Sequence, residues 1–247
     1  MARSPGTAPE RALLVIADVS GYTTYMRTHR MSLAHAEVNM SRLLDRVIDA
    51  ASGFDLVEIE GDAAFLSRPA DTLTDGAAVR ATFEVAAAMH RAFHLERRYV
   101  ATNLCPCQGC NEVDSLRLKF VAHIGEVATQ TIRKRHKLVG IDVILVHRML
   151  KNPVGIPEYV LLSEDLHRLR DDTVATASHE VLQDLEGIGP TRGYFVDVAD
   201  LADPSLAAPP DPTLLERLGR TLTVAGSGMP YMLGLRRRRA TSPTSST

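Results

Sequence analysis

The sequence predicts an α+β domain over residues 10–198, with a mixed β-sheet flanked by helices. Short segments in which apolar residues run continuously or alternate with polar ones are typical of strands, and segments with helical spacing separate them. Strand-like segments also follow one another directly at two places. These pairs predict hairpins, so the sheet is expected to contain antiparallel as well as parallel strands.

The first half of the domain begins with residues 12–18 (ALLVIAD), an apolar run typical of a strand buried on both faces. Apolar residues then recur at helical spacing over residues 32–51. Residues 54–60 (FDLVEIE) alternate as a strand with one exposed face, and a Gly-Asp turn leads into a second strand over residues 63–67.

The second half continues the alternation of helices and strands. In chain order we expect a helix over 75–98, a strand over 116–126, a helix over 139–150, a strand over 159–162, a short helix over 164–170 and a hairpin over 181–196. Residues 1–10 are expected to form a disordered leader. Residues 199–247 are expected to form a flexible tail, with one short helix over 214–222.

Composition argues against several classes of protein. The formal net charge of −2 gives no global attraction to nucleic acid, and the absence of tryptophan argues against base-stacking platforms. No stretch approaches the roughly 18 to 20 apolar residues that a transmembrane helix needs. We therefore expect a cytoplasmic protein without specific nucleic-acid binding, whose three cysteines start as thiols.

Two aspartates occupy positions where a metal site is easily built. Asp18 ends the first buried strand, and Asp62 lies in the turn of the first hairpin. If that strand lies beside the hairpin, both carboxylates meet at one edge of the sheet, which favours a raised pKa or a bound cation. Mg²⁺ takes one or two carboxylates in this way and completes its shell with water and phosphate oxygens. The alternative interpretation is that both aspartates only cap turns.

Five segments resemble, in order, the motifs of class III adenylyl and guanylyl cyclases: residues 17–23 (ADVSGYT), 60–65 (EGDAAF), 118–127 (LKFVAHIGEV), 140–149, and 185–188 with 194–196. The resemblance spans roughly residues 10–198 and implies the ferredoxin-like fold of the cyclase catalytic domain. The cysteine-rich segment and residues 147–152 are similar to a bacterial branch of cyclase-like proteins.

The resemblance implies an activity and the residues for it. Asp18 and Asp62 would bind Mg²⁺ or Mn²⁺, Arg148 would stabilise the phosphorus in the transition state, and Lys119 would contact the triphosphate. An arginine suits that role because its planar fork donates two hydrogen bonds to phosphate oxygens. Cyclase active sites form between two subunits, so a homodimer that binds a nucleoside triphosphate is implied.

Several positions depart from the cyclase pattern. Ile144 stands where cyclases have the asparagine that orients the ribose, and Glu186 where they have a lysine. Glu58 falls at the base-selecting position, where guanylyl cyclases carry glutamate, and Lys137 falls at the second base-selecting position. The alternative is that Glu58 is only a polar residue on the exposed face of its strand, which the alternating pattern favours.

Cys105, Cys107 and Cys110 form a dense CxCxxC segment after a long helix. Thiolates at this spacing bind soft metals such as Zn²⁺, but a structural zinc site needs four ligands. The fourth would come from His94, from His123 or from a second subunit. A redox-active thiol pair and simple packing in the core are the alternatives.

Three functions are therefore open at this stage. The first is a metal-dependent cyclase that converts a nucleoside triphosphate to a 3′,5′-cyclic nucleotide and pyrophosphate. The second is a catalytically degenerate binding or signalling module on the same fold, since a protein can keep its fold after its active site has lost activity. The third is a metal or redox sensor that uses the cysteine segment.

Overall fold

A mixed β-sheet forms the centre of the fold. The computed structural model describes residues 8–28, 33–103, 110, 112–133, 135–171, 176–201 and 210–232. The strands of the sheet in chain order are β1 (Glu10–Ser20), β2 (Asp55–Glu60), β3 (Ala63–Pro69), β4 (Arg117–Ile132), β5 (Arg135–Val139), β6 (Tyr159–Ser163), β7 (His179–Leu185) and β8 (Gly189–Asp197).

The strands lie side by side in the order β2-β3-β1-β4-β6-β8-β7, and β5 pairs with the far end of β4. Strands β4 and β6 are parallel, whereas the other pairs in the described part of the chain are antiparallel. The expected mixed sheet with helices on its faces is confirmed.

Helices pack against both faces of the sheet. They are α1 (Tyr22–Thr28), α2 (Leu33–Asp49), α3 (Asp75–Ala101), α4 (Ile141–Arg148), α5 (Glu164–His167) and α6 (Leu214–Met232), with short 3₁₀ turns at Val113–Ser115 and Val198–Leu201. Within the described residues, no helix combines the length and the apolar composition needed to cross a membrane.

Strand β1 is buried on both faces, as its continuous apolar sequence predicts. Leu13 and Val15 belong to the core formed with α2 and α3. Leu14 and Ile16 belong to a second core, which includes Val146 of α4. All four side chains are at most 1% exposed. The end of β1 is therefore held firmly from two sides.

The main difference from the sequence-based prediction lies at the end of β4. This strand continues to Ile132 and pairs with β5, whereas residues 127–138 were not expected to form strands. The segment is polar and basic, so it lacks the apolar alternation that indicates a strand. Val139 still pairs with Ala128, and helix α4 accordingly begins at Ile141 rather than at residue 139.

Helix α6 is longer than the short helix predicted over residues 214–222, and it packs against α2 and α3. Arg217 Nε donates to the carbonyl of Thr102 at 3.0 Å, and Arg220 Nη1 donates to the Thr102 hydroxyl at 2.5 Å. The centre of the Tyr99 ring lies 4.9 Å from the guanidinium of Arg220 and 5.0 Å from the guanidinium of Arg42.

Gly125 in β4 has no room for a side chain. A Cβ atom there would lie 2.3 Å from Asp142 Cγ and 2.6 Å from His123 Nε2. Asp142 is fixed in this place because its Oδ2 accepts a hydrogen bond from the Glu126 amide at 2.6 Å. The glycine therefore permits the close packing of α4 on the central sheet.

We predict that Gly125→Ala lowers the free energy of unfolding by about 1–3 kcal/mol, the usual cost of overpacking. Denaturant unfolding followed by circular dichroism measures the change. Gly155→Ala is the matched control, because no atom lies within 4 Å of a Cβ at that position. Equal stabilities of the two variants would contradict this account of Gly125.

Candidate functional site

The first site feature is the approach of Asp18 and Asp62, which follows from strand pairing. Asp18 is paired with Ala63 in the antiparallel register of β1 and β3, so Asp62 comes immediately before its partner. The Val19 amide donates to the Asp62 carbonyl at 3.2 Å and extends this pairing into the turn. Gly61 turns the chain with φ +68°, a conformation that favours glycine.

Charge at this edge of the sheet is unbalanced. Burial and the nearby Asp18 carboxylate raise the pKa of Asp62, while its own backbone and Lys119 act in the opposite direction. Lys119 lies opposite Asp18 on β4, and its Nζ is 3.2 Å from Asp18 Oδ2. One ammonium therefore faces two carboxylates, and the surplus negative charge favours a cation or a proton.

These three side chains line a concavity together with residues 19–24. Gly21, with φ +89°, allows β1 to turn directly into α1, and the Gly21 carbonyl accepts from the Tyr25 amide at 2.9 Å. The concavity thus combines two carboxylates, an ammonium and a short loop. Carboxylate oxygens are the ligands that hard divalent cations prefer, and an ammonium beside them suits an anionic group.

Arg148 has a different partner from the one that the resemblance implies. It ends α4, and its Nη1 donates to Glu186 Oε2 at 3.0 Å. The Glu186 side chain is 93% exposed, so this ion pair lies at the surface and is expected to separate easily. The arginine therefore pairs with Glu186, the residue that the resemblance aligns with a lysine of the cyclases.

Glu58 and Lys137, the two residues that the resemblance assigns to base selection, are brought together. Glu58 Oε2 of β2 lies 3.3 Å from Lys137 Nζ of β5, and both side chains are more than a third exposed. The neighbouring Glu60 contacts His147 Nε2 at 3.1 Å. Glu58 is thus paired and partly exposed. The predicted burial of one apolar face of β2 is not observed, since Leu56 is 43% exposed and the register with β3 shifts between Leu56 and Glu58.

Ile144, which the resemblance aligns with the ribose-orienting asparagine of cyclases, is 48% exposed on α4. Ile141, one turn earlier, is 61% exposed, and Ile59 of β2 is 48% exposed. These apolar side chains face solvent in the single chain.

Cys105 and Cys107 lie outside the described residues, so a zinc site at the cysteine segment stays a prediction. Cys110 is 1% exposed inside the main core, and Asn39 Nδ2 lies 3.9 Å from its Sγ. The two histidines considered as a fourth zinc ligand have other neighbours. His94 contacts His90 and Glu158, and His123 contacts Ser163.

The structure contains two polar clusters whose contacts the sequence analysis did not predict. His123 is a buried core residue, with Nδ1 2.8 Å from Ser163 Oγ and Nε2 3.1 Å from Asp142 Oδ1. The other cluster joins His90 and His94 of α3 with Glu158. The four-residue spacing of the two histidines is a sequence signal for one helix face, but Glu158 is too distant in sequence to be connected with them.

Solved class III cyclase structures share this fold. The adenylyl cyclase CyaB from P. aeruginosa aligns with TM-score 0.59 and 15% identity, covering 83% of this chain and 98% of that one. The guanylyl cyclase Cya2 aligns with TM-score 0.55 and 17% identity, covering 78% and 94%. A class III adenylyl cyclase-like ATP-binding protein from Pseudomonas aeruginosa aligns with TM-score 0.56 and 15% identity, covering 67% and 36%. At these identities the likeness shows the class III cyclase catalytic-domain fold.

Sequence comparison gives the family. Residues 40–159 match a family described as a protein of unknown function, DUF2652. The "Uncharacterized protein Rv2561/Rv2562" of Mycobacterium tuberculosis is 36% identical over 199 residues, which cover 80% of this chain and 91% of that protein. The chain therefore belongs to one protein family with the mycobacterial Rv2561/Rv2562 protein, and its central part carries the DUF2652 match.

Proposed function

We propose that the chain is a cytoplasmic, homodimeric nucleotidyl cyclase that converts a nucleoside triphosphate to a 3′,5′-cyclic nucleotide and pyrophosphate. The observation that supports this most directly is the placement of Asp18 and Asp62 at one concave edge of a cyclase-type sheet. A strand pairing fixes the two carboxylates, so they do not depend on a flexible loop for their approach.

The residues present fit a divalent metal of the Mg²⁺ or Mn²⁺ class. Asp18 and Asp62 supply hard oxygen ligands, and their mutual repulsion is relieved when a cation binds. When bound, such a metal activates the attacking hydroxyl and neutralises phosphate charge. Lys119 lies 3.2 Å from Asp18 and adds a positive charge for the triphosphate.

Arg148 enters the proposed reaction through the dimer. Its exposed pair with Glu186 costs little to separate, which leaves its guanidinium available to phosphate oxygens of a nucleotide held by the partner subunit. The exposed Ile141 and Ile144 on the same helix provide apolar surface for subunit contact. Glu58 and Lys137 then select the base, with Glu58 suited to the N1–H and amino group of guanine.

The second candidate is a nucleotide-binding module without turnover. Ile144 offers no hydrogen bond where cyclases hold the ribose, and Glu186 reverses the charge of a triphosphate-binding lysine. One structural relative is itself named an adenylyl cyclase-like ATP-binding protein. This function retains the Asp18–Asp62 site and nucleotide binding but forms no cyclic product.

We expect the purified protein, supplied with Mn²⁺ or Mg²⁺ and each nucleoside triphosphate, to form a cyclic nucleotide from one of them. Asp18→Asn and Asp62→Asn should each reduce the rate at least about 100-fold, because each removes a metal ligand. Product is measured by chromatography with mass detection.

Asp184→Asn is the control for this assay, since Asp184 is an exposed carboxylate on β7. It should retain the wild-type rate. Nucleotide binding without any cyclic product would support the module, and neither binding nor turnover would reject both candidates.

Asp62 also makes a pH-dependent prediction. Its pKa is raised in the folded chain, so its protonated form is favoured there and the stability it contributes is lost as pH rises from about 4 through the raised value. The Asp62→Asn variant does not lose stability in this way, because asparagine has no carboxyl group to titrate. Between about pH 4 and the raised pKa, the melting temperature of metal-free Asp62→Asn should therefore increase relative to that of the wild type.

Millimolar Mg²⁺ or Mn²⁺ at neutral pH should raise the melting temperature of the wild type and leave that of Asp62→Asn nearly unchanged. Thermal unfolding followed by circular dichroism across this pH range gives both comparisons. A constant difference between the two proteins at every pH would contradict the assigned pKa direction.

We further expect Glu186→Lys to strengthen nucleotide binding. The change frees Arg148 and restores a positive charge, worth about 1 kcal/mol at a surface position, or about fivefold in KM or Kd. Glu180→Lys is the matched control, because Glu180 is an exposed carboxylate that also pairs with an arginine, Arg192. Equal gains in both variants would indicate a nonspecific charge effect rather than a role for Glu186.

A further inference from the structure

The cluster of His90, His94 and Glu158 lies outside the proposed cyclase site. The two histidines are four residues apart on α3, so their rings lie on one face of the helix. Their Nε2 atoms are 2.9 Å apart. Glu158 precedes β6, and its Oε1 and Oε2 lie 2.9 Å from His94 Nε2 and 3.2 Å from His90 Nε2.

Protons satisfy this arrangement incompletely. Each contact between Nε2 and a carboxylate oxygen calls for a proton on the nitrogen, and two protonated nitrogens 2.9 Å apart repel each other while both donate to Glu158. If one nitrogen of His90 or His94 gives up its proton, its lone pair faces the carboxylate of Glu158 instead. A cation at the centre resolves the conflict, because all three groups then contribute lone pairs.

The spacing of the three groups fits a small transition-metal ion. Zn²⁺ bonds to imidazole nitrogen and carboxylate oxygen are about 2.0–2.1 Å long, which places two ligands of a tetrahedron about 3.3 Å apart. The observed separations of 2.9, 2.9 and 3.2 Å are slightly shorter. Small outward movements of the side chains are enough to admit the ion, and imidazole ligands favour Zn²⁺ over Mg²⁺.

The surroundings hold the three ligands in place. Glu158 Oε1 also accepts a hydrogen bond from the Leu118 amide of β4 at 3.0 Å, the kind of outer contact that orients metal-binding carboxylates. The fully buried Phe93 contacts the His94 ring edge-on, with ring centres 5.3 Å apart. The ligand side chains are 18–26% exposed, which leaves access for a water molecule as fourth ligand.

We propose that His90, His94 and Glu158 form a Zn²⁺ site that fastens helix α3 to the start of β6 and, through Leu118, to β4. The site is separate from the Mg²⁺ or Mn²⁺ pair at Asp18 and Asp62, and it does not depend on cyclase activity. Its effect is on stability, since the ion binds the folded chain and holds three elements together.

The test uses full-length protein stripped of metal by a chelator and titrated with Zn²⁺ against a competing chromophoric chelator. His90→Gln, His94→Gln and Glu158→Gln should each weaken Zn²⁺ binding at this site at least about 100-fold and abolish the Zn²⁺-dependent rise in melting temperature. Co²⁺ bound at the same site should lack the near-ultraviolet charge-transfer band that thiolate ligands produce.

Two controls separate this site from other zinc ligands. His179→Gln removes an exposed histidine on β7, and Cys105→Ser with Cys107→Ser removes thiols of the cysteine segment. Both should retain Zn²⁺ binding at the cluster; if the cysteines bind a second ion, only that one is lost.

The proposal is overturned if wild-type protein binds no Zn²⁺, or if the cysteine variant loses all binding while His94→Gln loses none. Glu158→Gln is the least disruptive variant, because glutamine still accepts from the Leu118 amide. Circular dichroism of each metal-free variant establishes that it is folded before its affinity is compared.

Discussion

The candidate site depends on the antiparallel pairing of β1 with β3. Because Asp18 is opposite Ala63, the second residue of the hairpin turn, Asp62, lies next to that pair and places a second carboxylate beside Asp18. Two hydrophobic cores pack against the two faces of β1. The strand is therefore held in place, and the two carboxylates stay close together despite their repulsion. Burial first, and then the Asp18 carboxylate held beside it, raise the pKa of Asp62.

Much of this arrangement could be predicted from sequence because it is local. The branched apolar run of β1 and the Gly-Asp turn identified the sheet edge and both aspartates. Strand β5 could not be predicted in this way, because its residues are polar and basic and its stability comes from pairing with β4. The contact of Glu158 with His90 and His94 was also hidden, since it joins residues 64 positions apart or more.

The departures from the cyclase motifs are related to one another in space. Arg148 and Glu186 form one surface ion pair, so the charge reversal at residue 186 bears directly on the arginine. Glu58 and Lys137 likewise face each other. Such pairing keeps side chains of opposite charge compatible with the fold. Exposed ion pairs of this kind contribute little to stability, so each separates at a small cost in free energy.

Helix α6 bears on where the folded unit ends. The carbonyl and the hydroxyl of Thr102, at the end of α3, both accept hydrogen bonds from arginines of α6, and the guanidinium groups of Arg42 and Arg220 both contact the Tyr99 ring. Truncation of the chain at residue 198 would expose the Tyr99 ring and the polar groups of Thr102 to solvent. The natural limit for recombinant expression therefore lies beyond α6, although the cyclase-like motifs finish well before it.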